Sequence, residues 1–134
     1  IEPGVRKGGY IIRDCSGQPD LVFIATGSEV SLALETADLF NTKNVRVVSM
    51  PCVEIFDRQS EEYKKSIIPE RRCLKITIEA GITSGWEKYL GLNGLSIGIN
   101  HYGASAPGNH FAEEFGFKPE KVEQEIRSHL NSLL

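Results

Sequence analysis

Residues 20–30, DLVFIATGSEV, pass from an unbroken apolar run to a polar turn within a few positions. The run at 21–25 has the length of a strand, and its lack of alternation marks a parallel strand covered on both faces. Gly27 then supplies a tight turn and Ser28 a helix cap. From there Val30, Ala33, Leu34, Ala37 and Phe40 recur at the helical period, with Glu29, Glu35 and Asp38 expected on the opposite, solvated face. Residues 41–44 close that helix.

The same pattern continues along the chain. Residues 9–14 (GYIIRD) read as a short strand, and 45–50 (VRVVSM) as another that Pro51 stops. Ser60 or Asp57 can cap a short helix through Ser66 before Pro69 stops the chain again. Residues 73–79 (CLKITIE) give a fourth strand and 95–99 (LSIGI) a weaker fifth, with a short helix around 86–90 between them. Ser105 and Pro107 would start a helix through Phe115. Pro119 suits the first turn of a last helix, with Val122, Ile126, Leu130 and Leu133 on one stripe and Glu120, Glu123, Glu125 and Arg127 in water.

Strands alternating with helices at this spacing specify a parallel sheet with helices on both faces. Right-handed crossovers make it a three-layer, Rossmann-like α/β domain with a mostly parallel five-stranded sheet. Residues 9–14 precede the regular alternation, so their strand is expected at an edge, antiparallel. Residues 1–8 read as a linker tail and 9–134 as one domain.

Composition narrows the partners. The chain has 134 residues, 40% of them hydrophobic, and a formal net charge of −3. A chain of this length buries roughly two-thirds of its unfolded surface without a disulfide or metal. Its charge gives no reason to expect nucleic acid or an acidic membrane. Apolar runs stop at about five residues, far short of a membrane span, and no signal peptide is visible. Cys15, Cys52 and Cys73 have no zinc or CxxC spacing, as expected of reduced thiols in a cytosol-like compartment. Ile1 and the aperiodic IEPGVRKGG are expected of a chain cut from something longer.

Ligands of open α/β sheets sit beyond the carboxyl ends of the strands, which singles out the loops at 26–28, 51–57, 80–85 and 100–107. The TGS loop has one glycine where a dinucleotide fingerprint needs three, and Glu29 stands where a P-loop has lysine. That carboxylate suits a helix N-terminus and repels phosphate, so a plain turn and cap is favoured over an anion loop. Thr26, Gly27 and Ser28, with His101 and Ser105 on a neighbouring loop, are the candidates if a ligand binds. YGASAPG half resembles a nucleophile elbow, but Pro107 occupies the second small position and no base can be assigned to Ser105. His101, His110 and His129 lack metal-ligand spacing. Glu79 and Glu54 could form a carboxylate pair, and Trp86, beside Lys88 and Tyr89, could anchor an interface or sit in the core. No catalytic constellation emerges.

Four long segments explain that absence. GGYIIRDCSGQPDLVFIATGSEVSLALETADLF, VRVVSMPCVEIFDRQSEEYKKSIIP, EAGITSGWEKYLGLNG and YGASAPGNHFAEEFGFKPEKV together resemble the C-terminal, third domain of transketolase from about Gly8 to the end. The specific signals are SMP followed by FDRQ, EAG followed by GW, and YGASAP followed by EEFGF. Dihydroxyacetone synthase is the nearest competing family. Ser84, Gly85 and Asn109 depart from the pattern by making two loops smaller or more polar.

The resemblance implies a mixed five-stranded Rossmann-like domain of an enzyme moving a two-carbon ketol unit between sugar phosphates in the pentose phosphate pathway. It implies thiamine diphosphate and a divalent metal (Mg or Ca) between the other two domains, across a homodimer interface. No coenzyme, metal or catalytic position of that family maps onto this chain. The expectation is a structural and dimer-assembly domain, inactive in isolation, whose partners are the remaining domains. Its expected compartment is the cytoplasm, or a plastid. The alternative is a regulatory domain binding a phosphate or nucleotide at Thr26–Ser28.

Overall fold

The unbroken apolar run becomes the middle of the sheet. In the computed structural model, which describes residues 4, 6–27, 29–70, 73–80, 87–91, 93–99 and 118–133, strand β2 (Leu21–Ala25) is buried at every position. It lies between two parallel neighbours, β3 (Val45–Ser49) and β4 (Leu74–Ala80). Strand β1 (Tyr10–Arg13) pairs antiparallel with β3, and β5 (Leu95–Ile99) parallel with β4, giving the order β1-β3-β2-β4-β5. The antiparallel edge strand and the parallel remainder are as the sequence implies.

Alternation along β2 divides the core in two. Leu21, Phe23 and Ala25 join Val45, Val47, Ile76 and Ile78 on one face, under helices α1 (Glu29–Ala37) and α5 (Pro119–Ser132). Val22, Ile24, Val48 and Met50 point the other way, onto Phe56 of helix α2 (Val53–Asp57) and Ile67 of helix α3 (Glu61–Ile67). Tyr89 of the short helix α4 (Glu87–Leu90) packs on the same side. The result is a three-layer sandwich.

Local chemistry sets several boundaries. Ser60 caps α3 by accepting a hydrogen bond from the Tyr63 amide at 3.1 Å, satisfying one orphan donor of the first turn. Pro119 occupies the first turn of α5, where its missing N–H costs nothing. The approach to β1 is tied down tightly. Gly8 has φ +84°, and a Cβ there would collide with the Cys52 carbonyl and the Phe56 amide. Only glycine suits both the left-handed backbone and that approach. The Tyr63 hydroxyl then donates to the Gly9 carbonyl at 2.6 Å.

Three expectations are corrected. The buried stripe of α1 runs through Glu29, Leu32, Ala33, Thr36 and Ala37, so Glu29 faces inward rather than to solvent, and Val30 and Leu34 are only partly buried. Thr36 is accommodated because its hydroxyl donates to the Leu32 carbonyl at 2.7 Å. The stretch expected as a loop at 51–57 contains α2, a single turn held by the burial of Phe56 rather than by any side-chain cap. Leu133 caps α5 in solvent at 44% exposure, so the apolar stripe ends at Leu130. Arg127 is exposed as expected, yet its guanidinium lies 4.6 Å from the Phe40 ring centre and pairs with Glu123 at 2.7 Å. The helix expected from Ser105 through Phe115 lies outside the described residues.

Candidate functional site

The strand order dictates where a ligand crevice would form. From β2 the chain crosses to β3 over one face, and from β3 it returns past β2 to β4 over the other. The carboxyl ends of β2 and β4 therefore flank the topological switch point. Thr26 and Gly27 leave β2 there. Gly27 has φ +59° with nothing within 4 Å of the position a Cβ would take, so glycine serves the turn conformation and not a close approach. The carbonyls of Thr26 and Gly27 accept from the amides of Glu29 and Val30 at 3.1 and 3.2 Å, launching α1. Ser28, His101 and Ser105, the other candidates for a ligand loop, lie outside the described residues.

Two carboxylates converge on this edge. Glu29 is 8% exposed in the first turn of α1, and Glu79 stands one residue from the end of β4, level with Gly98 of β5. Burial, reinforced by the charge of Glu29, pushes the Glu79 carboxyl above its ordinary value. Its Oε2 atom is buried without a hydrogen-bond partner among the described residues. Glu54 is exposed on α2, where its carboxylate meets the Cys52 thiol at 3.5 Å. The carboxylate paired with Glu79 is thus Glu29, not Glu54: the α1 start, not the loop after β3, reaches over the switch point. The helix start alone would favour an anion, but the two acids beside it oppose a phosphate.

On the opposite face, two sequence motifs meet. FDRQ supplies Phe56 and Asp57, and GWEKYLG supplies Lys88 and Tyr89. The Phe56 and Tyr89 rings pack edge-to-face at 5.4 Å. Lys88 Nζ lies 2.6 Å from Asp57 Oδ2, and the Tyr89 hydroxyl donates to Asp57 Oδ1. Lys64 Nζ adds a bond to the Asp57 backbone carbonyl at 3.1 Å. Burial alone would raise the Asp57 carboxyl, but the bonds from Lys88 and Tyr89 hold it below the usual carboxylate range. Burial and the bond to Asp57 push the Tyr89 phenol far up. These groups are locked as donor and acceptor, which is a fastening and not a poised acid or base. In the sequence Asp57 is a candidate helix cap and the end of the 51–57 loop; the FDRQ and WEKY motifs are visible there, but their meeting is not. Trp86 lies outside the described residues.

Among the described residues no three His, Cys, Asp or Glu side chains come together as metal ligands, and no helix is long and apolar enough to cross a membrane. Cys15, Cys52 and Cys73 are all unbridged. His129 bonds the Asn93 carbonyl at 2.7 Å.

Comparison with known proteins gives a consistent result. Residues 8–118 match the model of the transketolase-like TK C-terminal domain. Transketolase of Aquifex aeolicus is 46% identical over 125 residues, which is 92% of this chain and 18% of that protein. Transketolase 1 of Escherichia coli is 45% identical over 120 residues, 88% of this chain and 18% of that protein. The structure of transketolase from Leishmania mexicana superposes with a TM-score of 0.80 at 37% identity, covering 97% of this chain and 19% of that one. The chain spans less than a fifth of each of these relatives.

Proposed function

The chain belongs to the transketolase-like C-terminal domain family, and on that premise we propose that it is the assembly domain of an enzyme transferring two-carbon ketol units between sugar phosphates. Its partners in this reading are the remaining domains of the same polypeptide and, through them, a second copy of the enzyme. The chemistry belongs to thiamine diphosphate and a divalent metal, which supply the carbanion and the diphosphate anchor when bound elsewhere in the enzyme. A cytoplasmic or plastid location accompanies this reading.

The described residues do not fit that coenzyme. Its diphosphate needs donors and a metal, whereas the switch point offers a single-glycine turn followed by the buried Glu29 and the half-buried Glu79. Negative charge there opposes a phosphate, so in this reading the described residues take no part in holding the coenzyme. The observation that carries the structural reading is the Asp57–Lys88–Tyr89 fastening, in which the FDRQ and GWEKYLG segments are spent on one another.

The experiment is a graft. The coenzyme-binding remainder of a transketolase such as the Escherichia coli relative is produced alone and fused to this chain. Sedimentation and ketol-transfer assays then compare the two. The fusion is expected to assemble and turn over while the remainder alone does neither. Equal assembly and activity of the remainder alone would remove the assembly role.

A further inference from the structure

A cleft of about 580 Å³ opens on the face of α3 and α4, away from the switch point, with Lys75 of β4 among its lining residues. That volume is in the range of small-molecule sites. Four ammonium groups line it against three carboxylates. Lys88 is paired with Asp57 at 2.6 Å, Lys64 with Glu61 at 2.9 Å, and Lys65 more loosely with Glu70 at 3.7 Å. Lys75 is left over. It is only 8% exposed, and among the described residues its side chain makes no hydrogen bond and no ion pair.

Most of the Lys75 side chain is buried while its ammonium stays in contact with the cleft, and mostly buried charges are ordinarily paired. The alternation of β4 makes the placement firm: Leu74, Ile76 and Ile78 face the core under α1, so Lys75 projects to the side of the cleft. A mostly buried lysine lining a cavity, with no anionic partner among the described residues and with Lys64 and Lys88 also in the lining, is an anion seat. Ile68 and Pro69 give an apolar wall for whatever carries the anionic group.

We propose that this cleft binds a small metabolite through its phosphate or carboxylate group, seated on Lys75. The site is separate from the turn at Thr26–Gly27 and shares Asp57, Lys88 and Tyr89 with the fastening between α2 and α4.

The test is an NMR titration of this chain with inorganic phosphate and, separately, acetate, with sodium chloride at matched ionic strength as reference. Saturable shifts of amides at 64–70, 75 and 88–91 with phosphate support a phosphoryl ligand, and with acetate a carboxylate. Lys75→Met should abolish the saturable response, Lys75→Arg should retain it, and Lys43→Met and Gly27→Val should leave it unchanged. Lys75→Met keeps the volume and removes the buried charge, so it should also raise the urea midpoint in the absence of anion and no longer respond to phosphate. No saturable shift with either anion would overturn the proposal. So would a response that survives in Lys75→Met.

Discussion

Lys88 Nζ sits 2.6 Å from Asp57 Oδ2, joining helix α4 to the end of helix α2 across 31 residues of sequence. The pair is partly exposed, with side-chain accessibilities of 54% and 29%, so its Coulombic part is screened. The Tyr89 hydroxyl and the edge-to-face ring contact beneath it make the fastening more than a surface ion pair.

Asp57→Ala is expected to cost about 1–2 kcal/mol, because it strands the Tyr89 hydroxyl as well as removing a half-exposed ion pair. The acid limb should change too. The carboxyl is depressed in the folded state, so its contribution is present above its unfolded pKa of about 4 and is lost as pH falls through the lower folded value. Urea titrations at several pH values should show a flatter acid limb for Asp57→Asn than for the parent. An unchanged limb would mean that the carboxylate contributes nothing to folding.

Phe56 is fully buried between the rings of Tyr63 and Tyr89, at centroid distances of 6.0 and 5.4 Å. Phe56→Ala should therefore cost roughly 3–5 kcal/mol. Calorimetry or urea unfolding would show it, and a loss under about 1 kcal/mol would contradict the packing described.

Glu79 reports on the switch point with the opposite sign. Its raised carboxyl favours the neutral form in the folded state, so no penalty exists below its unfolded pKa, and stability falls as pH rises through the folded value. Glu79→Gln should raise the urea midpoint at pH 7 and leave it nearly unchanged near pH 4. The same gain at both pH values would exclude ionisation as its source.

Gly8 and Gly27 both have positive φ but should respond differently to alanine. At Gly27 an added Cβ meets nothing within 4 Å, so only the left-handed backbone is penalised, by about 1–2 kcal/mol. At Gly8 the same penalty is joined by collision with backbone atoms of Cys52 and Phe56, which cannot rotate away. Gly8→Ala should be clearly the more destabilising of the two in parallel denaturant titrations, and equal losses would show that the approach at Gly8 is loose.

The architecture was largely legible in the chain because its strands are short, apolar and well punctuated. Residues 21–25 and 95–99 are strands with the expected bounds, and Ser60 and Pro119 start helices where their chemistry implies. Periodicity fails at Glu29, whose burial depends on how the start of α1 packs on the sheet, a tertiary fact that no helical period encodes. It fails again at α2, where five residues are too few to show a period and Phe56 folds inward for the sake of the core. The polar positions of KITIE were visible as alternation. That Lys75 has no partner among the described residues depends on how the lysines of α3 and α4 pair with Glu61, Glu70 and Asp57. The family, by contrast, was carried by long contiguous segments and needed no tertiary information.

On the proposed function, this chain supports ketol transfer without performing it. The direct measurement is a coupled ketol-transfer assay on the chain alone, shown to unfold cooperatively, with ketose and aldose phosphates, excess thiamine diphosphate and magnesium. No turnover above the protein-free blank is expected. Saturable turnover proportional to chain concentration would contradict it.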